Sequence, residues 1–430
     1  MKVSQMAGCI GCPLRGTGEQ LFTPDVVKDG SPVQVVYSSP PDNPALAATR
    51  LATRLKGVGL EHEGVSVQHG IRCSAQLPAW ATSHQIRRGE KGPAEEAVLH
   101  CHTHHGRLGA STRLLVTIGD AALYSSTGER SSLDWRGWVL PYRGTGNGWK
   151  SRVWTPGPRD LPVLAMATAA FPWMGYVTAK DWSKVPRILA GEWPQKFPGF
   201  TTEPPKVWPK VSAFDTEFSP ETGILTRYSL YDGGARPWVV EAGDIQITEV
   251  PDGSTVIMHN IEADLDHLQR FLRGGRIKTE DTMLMHSVLW SDLPHDLEFL
   301  GSLSARINRW KHLGFNDLEY SAGDAIGTWD AYLAMVKEYQ ADPQSMAVYR
   351  NCVFPLTPII MEATTTGLLL DQDKVQQALR YHEQERTDVA LRAQAYTGYP
   401  INMGSSEQLS RWLYSVEGLG KRTKAARKKR

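Results

Sequence analysis

Apolar positions change rhythm along the chain, and the changes divide it. Up to about residue 190, short apolar runs such as Val33-Gln-Val-Val-Tyr37 and Leu114-Leu-Val-Thr-Ile118 stand between stretches rich in Gly, Pro and Trp. Runs of this length bounded by turn formers predict buried strands. The stretch Phe197-Pro-Gly-Phe-Thr-Thr-Glu-Pro-Pro-Lys-Val-Trp-Pro209 carries four prolines and marks a linker over 191–209. From Lys210 the pattern predicts strands over 211–218, 223–231, 236–241 and 255–259. Helices follow over 262–273, 280–290, 294–304 and 322–339. Strands first and helices after fit an α/β core. Beyond 346 the chain predicts helix, with a capping-box pattern at Ser405-Ser-Glu-Gln408. Leu409, Trp412, Leu413 and Val416 form one apolar stripe behind it. The expected organisation is an α/β domain over 1–190, the linker, a second α/β domain over 210–345, and a helical segment over 346–430.

Composition sets bounds on this picture. The 430 residues are 22% charged and 41% hydrophobic, with room for two or three domains. No apolar run reaches about 18 residues, so no membrane span or membrane partner is expected. The start lacks an apolar signal core, and a cytoplasmic location is the expectation. Net charge is +1, but seven basic groups crowd into the last ten residues, among them Lys421, Arg422 and Lys424. Without those seven, 40 basic groups face 46 acidic ones. Such a tail predicts contact with a polyanion, or a solubilising end with no contact. The five cysteines are Cys9, Cys12, Cys73, Cys101 and Cys352, and four fall in the first quarter of the chain. That clustering, without a signal segment, favours metal ligation over disulfides. One Cys-x-x-Cys with two distant cysteines can supply four thiolates to a 4Fe–4S cluster. A zinc site and reduced structural cysteines stay open. The run His100-Cys-His-Thr-His-His105 reads as a polar loop beside Cys101.

Acidic residues carry the sharper chemistry. Asp215 and Glu217 alternate within Val211-Ser-Ala-Phe-Asp-Thr-Glu-Phe218, so a strand would turn both to one face. Helical spacing would set Asn260 with Asp264, and Tyr320 with Asp324. Four carboxylates in one cleft repel unless cations lie among them. Hard oxygen donors suit magnesium or manganese, and two such ions serve phosphodiester hydrolysis.

These residues carry a resemblance. Phe214-Asp-Thr-Glu-Phe218, His259-Asn-Ile-Glu-Ala-Asp-Leu265 and Tyr320-Ser-Ala-Gly-Asp324 resemble, in order, the three motifs of the 3′–5′ proofreading exonuclease of family A DNA polymerases. That domain belongs to the DEDD exonucleases, in the tyrosine form, and has a ribonuclease H-like fold. The segments Glu280–Met285 and Leu293–Leu300 are similar to its intervening helices. The resemblance implies that Asp215, Glu217 and Asp324 hold one ion and that Asp215 bridges to a second supported by Asp264. It implies that Tyr320 orients the attacking water and that Asn260 supports the site. Asp281 is expected to brace a helix. The substrate it implies is the single-stranded 3′ end of DNA.

Two flanking resemblances complete the picture. Residues 354–420 look like the entry to the polymerase module and its thumb, with Asn402 and Ser405 in a motif of the form Asn-x-x-Ser-x-x-Gln-Leu. That implies duplex contact by Asn402, Ser405 and the basic tail, without polymerisation, since palm and fingers have no counterpart. A polymerase palm-and-fingers subunit or other replication proteins are the expected partners. Residues 5–180 more loosely resemble the iron–sulfur uracil-DNA glycosylases, with Cys9, Cys12, Cys73 and Cys101 as implied cluster ligands. The catalytic motifs depart: Val36-Tyr-Ser-Ser-Pro-Pro-Asp42 lacks the family's acid, and Ala170-Phe-Pro172 has Phe171 in place of its histidine. A glycosylase-like scaffold without that activity is expected. A bacteriophage source fits such a compact fusion.

Overall fold

The computed structural model describes residues 10–13, 26–39, 43–61, 64–71, 93–143, 147–167, 174–219 and 221–414. The chain divides into two compact units, Met1–Thr357 and Pro358–Arg430.

The first unit begins with β1 (Val33–Tyr37), α1 (Pro44–Lys56), β2 (Ser66–His69), α2 (Pro93–His105), β3 (Leu114–Ile118) and α3 (Asp120–Thr127). It continues with β4 (Val139–Pro141), β5 (Pro162–Met166) and α4 (Met174–Leu189). The strands form one sheet in the order β2-β1-β3-β5-β4, parallel except for β4. Parallel strands covered on both faces read as unbroken apolar runs, and β5 is buried at every position. The histidine-rich run is not a loop but the last turns of α2. Pro93 opens that helix, and Glu95 and Glu96 favour its positive N-terminal end, which carries the helix through to His105.

The second sheet follows. Along the chain come β6 (Val211–Phe218), β7 (Leu225–Tyr231), β8 (Trp238–Glu241), β9 (Thr248–Val250), β10 (Thr255–Met258), α5 (Ile261–Phe271), β11 (Leu272–Gly274) and β12 (Lys278–Asp281), of which β9 and β11 pair in a separate two-stranded sheet. Next come α6 (Thr282–Leu289), α7 (Leu297–Ser304), α8 (Leu318–Ala341) and α9 (Pro343–Val348). The order is β12-β10-β6-β7-β8, with β6, β7 and β8 antiparallel and β6, β10 and β12 parallel. A helix was expected over 280–290. Instead Lys278–Asp281 pairs along β10, and helix starts only where the Asp281 carboxylate caps it.

One apolar core joins the two sheets. Trp138, Trp154 and Trp182 from the first layer share a cluster with Tyr231, Leu297, Trp310 and Ile326 from the second. Polar groups stitch the same seam. Arg136 pairs with Asp181 at 2.8 Å and also reaches Ser302. The Asn308 amide donates to the Val139 and Trp154 carbonyls and accepts from Val139 N–H, so it extends the edge of β4. The proline-rich stretch 191–209 is packed as well. Trp193 is buried and its indole N–H donates to the Ala305 carbonyl, while Gln195 N–H donates to the Arg306 carbonyl.

In the second unit, α10 (Thr357–Thr366) leads to α11 (Gln372–Thr397) and α12 (Ser406–Leu413). Asp371 caps the start of α11, and Gly398, at φ 78°, takes the left-handed conformation that ends it. Among the described residues, no helix is long and apolar enough to cross a membrane.

Candidate active site

Strand β6 supplies the floor. Its period of two turns Asp215 and Glu217 to one face and Thr216 to the other. Helix α8 supplies the wall. Asp317 caps it by accepting the Glu319 N–H, and the next turns present Tyr320 and Asp324. Asp215, Glu217 and Asp324 each offer a ligand oxygen, and these atoms all lie within 4.8 Å of one another. No other group of three or more potential metal ligands occurs among the described residues.

Trp310 holds Asp324 from behind. Its indole N–H donates to Asp324 Oδ1 at 2.7 Å, and the ring is wholly buried. Three glycines make room for it. A Cβ at Gly301 would come within 2.6 Å of the ring and one at Gly327 within 2.5 Å, and Gly323 leaves no space either. Lys311 follows directly. Its Nζ sits 2.6 Å from Asp324 Oδ1 and 2.8 Å from Oδ2, and donates to Tyr320 Oη at 2.8 Å. Neighbouring backbone fixes the loop. Arg227 on β7 donates to the Phe315 and Asn316 carbonyls, and Glu319 accepts the Val153 N–H from the first sheet's layer at 3.1 Å.

Electrostatics follow from this crowding. Burial pushes the Asp215 carboxyl well up, helped by the charges of Asp324, Asp264 and Glu217. Burial and Asp324 push Glu217 to about 7. Asp324 is raised by burial against the lowering effect of Lys311 and Trp310. For Lys311, burial alone would lower the ammonium, but Asp324, Tyr320 and Asp215 outweigh it and the net shift is upward. The acids therefore resist full ionisation unless cations lie among them.

Asp264 stands outside the trio, though its charge reaches Asp215 and the charge of Glu217 reaches it. Its Oδ1 accepts from both the backbone N–H and the hydroxyl of Thr216, the residue facing away from Asp215 and Glu217. Burial raises it to about 7 against those two bonds. Helical spacing does not apply to Asn260. It precedes α5 at φ 67°, a left-handed conformation that asparagine tolerates, and its N–H donates to Asp281. Asp281 accepts from four backbone N–H groups, of Asn260, Ile261, Met283 and Leu284, and so braces two helix starts.

Trp310 and Lys311 were not among the expected site residues. The sequence places them in Asn308-Arg-Trp-Lys311, an aromatic–basic run of the kind that stacks on bases. Trp310 is core instead. No periodicity ties a loop residue to a helix 9 or 13 positions later, so only the fold reveals the contacts with Tyr320 and Asp324.

The other expected sites are less complete. Cys12 and Cys101 are buried in the first unit, while Cys9, Cys73 and Phe171 lie outside the described residues. So do Lys421, Arg422 and Lys424. Ser405 caps α12 by accepting the Gln408 N–H, and the Gln408 side chain accepts the Asn402 N–H.

Comparison with known proteins finds partial similarities. No family model matches the chain. It is 24% identical over 249 residues to DNA polymerase I of Chloroflexus aurantiacus. That match covers 49% of this chain and 26% of the polymerase, so the chain spans about a quarter of that relative's length. Among solved structures, Brucella melitensis NrnC with bound Mg2+ is similar at a TM-score of 0.32 and 17% identity, over 39% of this chain and 93% of that one. The POL domain of Pol1 from M. smegmatis, in complex with DNA primer-template and dNTP, also gives 0.32 and 17%, over 46% of this chain and 36% of that one.

Proposed function

We propose that this chain is a divalent-metal-dependent 3′–5′ DNA exonuclease on a ribonuclease H-like sheet. The observation that carries the reading is the convergence of Asp215, Glu217 and Asp324 oxygens within 4.8 Å, with Tyr320 one helical turn from Asp324. The similarity to a DNA polymerase I supports DNA as substrate and a proofreading setting.

The donor set fits an ion. Three carboxylates on rigid elements, all with raised proton affinity, are the hard oxygen ligands that magnesium and manganese prefer. Asp215, Glu217 and Asp324 would hold it, and the bound ion would polarise a phosphoryl oxygen or activate water. The chain's own residues set the geometry. Strand β6 fixes two ligands, Trp310 fixes the third, and the Tyr320 hydroxyl positions water or a phosphate oxygen. In the reaction the water oxygen bonds to phosphorus as the bond to the 3′ oxygen breaks. The water loses a proton, the 3′ oxygen gains one, and a nucleoside 5′-monophosphate leaves.

The test is digestion of a 5′-labelled single-stranded oligonucleotide. With Mg2+ the ladder should shorten from the 3′ end, and EDTA should stop it. Asp215→Ala and Asp324→Ala should each cut the rate by about 1,000-fold or more with unchanged circular dichroism. Undiminished digestion by both variants would remove the proposal.

A further inference from the structure

The acidic site has to admit a polyanion, and most cations around it are committed. Asp215, Glu217 and Asp324 converge within 4.8 Å, and the charge of Asp264 reaches Asp215. Lys311 is spent on Asp324 and Tyr320. Arg227 is buried and spent on the Phe315 and Asn316 carbonyls. Arg309 pairs with Glu298 and lies over the Trp135 ring, 4.0 Å from its centre. Lys150 pairs with Glu129 at 2.6 Å. Arg152 differs. It is exposed and makes no ion pair with any described residue.

Arg152 belongs to the first layer, yet the fold keys it to the start of α8. Two positions earlier, Trp149 packs its ring against Trp135 at 5.5 Å and His312 at 5.8 Å. The Arg152 carbonyl accepts from His312 Nε2 at 3.1 Å, and the next N–H, of Val153, donates to Glu319 at 3.1 Å. The backbone of Arg152 is therefore fixed against the loop that leads to Tyr320. Burial raises the Glu319 carboxyl, while the Val153 N–H and the charge of Arg152 work against it. Tyr320 is the next residue. The guanidinium thus stands beside the entrance residues of α8, outside the acids, with its N–H donors unspent among the described residues.

A single strand carries a charge at every phosphate. Ions among the acids would neutralise the site alone, and phosphates further along the strand need cations of their own. A guanidinium meets two phosphate oxygens with parallel donors. We propose that Arg152 holds a backbone phosphate of the single strand whose 3′ end lies at the acids, so that the first layer supplies part of the substrate grip. This rests on the reading of the site as a metal-dependent 3′–5′ nuclease. Such a contact positions the strand without reading its sequence and weakens with salt.

The experiment separates grip from chemistry. Single-turnover hydrolysis of a 5′-labelled oligothymidylate with Mg2+ is followed with the full chain in excess, at several protein and salt concentrations. Arg152→Ala should raise the half-saturating protein concentration about tenfold. The slope of log affinity against log salt should flatten by about 0.7. Arg152→Lys should keep the wild-type slope and recover part of the affinity. Lys56→Ala, exposed at the end of α1, removes the same charge elsewhere in the first layer and should match the wild type. Unchanged half-saturation in Arg152→Ala, an equal loss in Lys56→Ala, or a loss confined to the maximal rate would overturn the proposal. If the wild type cuts nothing, the nuclease reading fails instead. Fluorescence anisotropy of the labelled strand in EDTA then still compares the two proteins, and equal affinities would sink the role of Arg152 as well.

Discussion

Replacing Trp310 with phenylalanine separates what the indole ring packs from what its N–H holds. The ring is wholly buried, and its N–H donates to Asp324 at 2.7 Å. Phenylalanine keeps an aromatic face against Gly301, Gly323 and Gly327 but loses the donor. A bond to a charged acceptor is worth roughly 1.5–3 kcal/mol. The smaller ring leaves a void costing about 1 kcal/mol more. Urea unfolding followed by circular dichroism should therefore show a loss of about 3 kcal/mol. Single-turnover hydrolysis should fall about tenfold or more, because Asp324 is then held by Lys311 alone. Trp138→Phe is the matched control. Trp138 meets Trp310 edge-on at 5.7 Å and, among the described residues, donates no bond to an acid, so that variant should lose stability with a much smaller change in rate. Equal rates in Trp310→Phe and the wild type would refute the argument that the indole N–H positions Asp324.

Two further outcomes are expected. Asp281→Ala strips four backbone N–H groups of their acceptor and should cost about 3–5 kcal/mol, yet Mn2+ should still raise the melting temperature of the variant as it does the wild type. Loss of that Mn2+ protection would instead make Asp281 a ligand. His286 is neutral when folded, because burial and then His295 lower it from 6.5 to about 4. The unfolded chain takes up the proton first, so stability should be full above pH 6.5 and decline as pH falls toward 4. His286→Leu should flatten that decline by roughly 2 kcal/mol between pH 7 and pH 5. Equal losses of urea midpoint between pH 7 and pH 5 in both proteins would count against it.

Much of the second sheet is legible in the sequence because its strands alternate and its helices carry caps. The expected strand over 211–218 matches β6, and Asp215 with Glu217 on one face follows from period two alone. Asp281 as a brace is also legible, since an acid just before an apolar helix is a cap signal. Strand β12 was hidden, since Lys278–Asp281 is polar and pairs only because β10 offers an edge. Asn260 and Asp264 were placed by helical spacing, and the spacing fails because α5 starts one residue after Asn260. Lys311 could not be placed, because its role depends on a loop held between Arg227, Asn308 and the glycines of α7 and α8.

The seam between the two sheets reaches into the candidate site. Val153 and Trp138 belong to the first layer, yet one anchors Glu319 beside Tyr320 and the other abuts the indole that grips Asp324. The two layers therefore cannot be treated as interchangeable parts. A chimera that joined this acidic sheet to a foreign partner would inherit the acids but not their alignment. Amino-acid changes far upstream of β6 can thus shift the three acids without touching any of them.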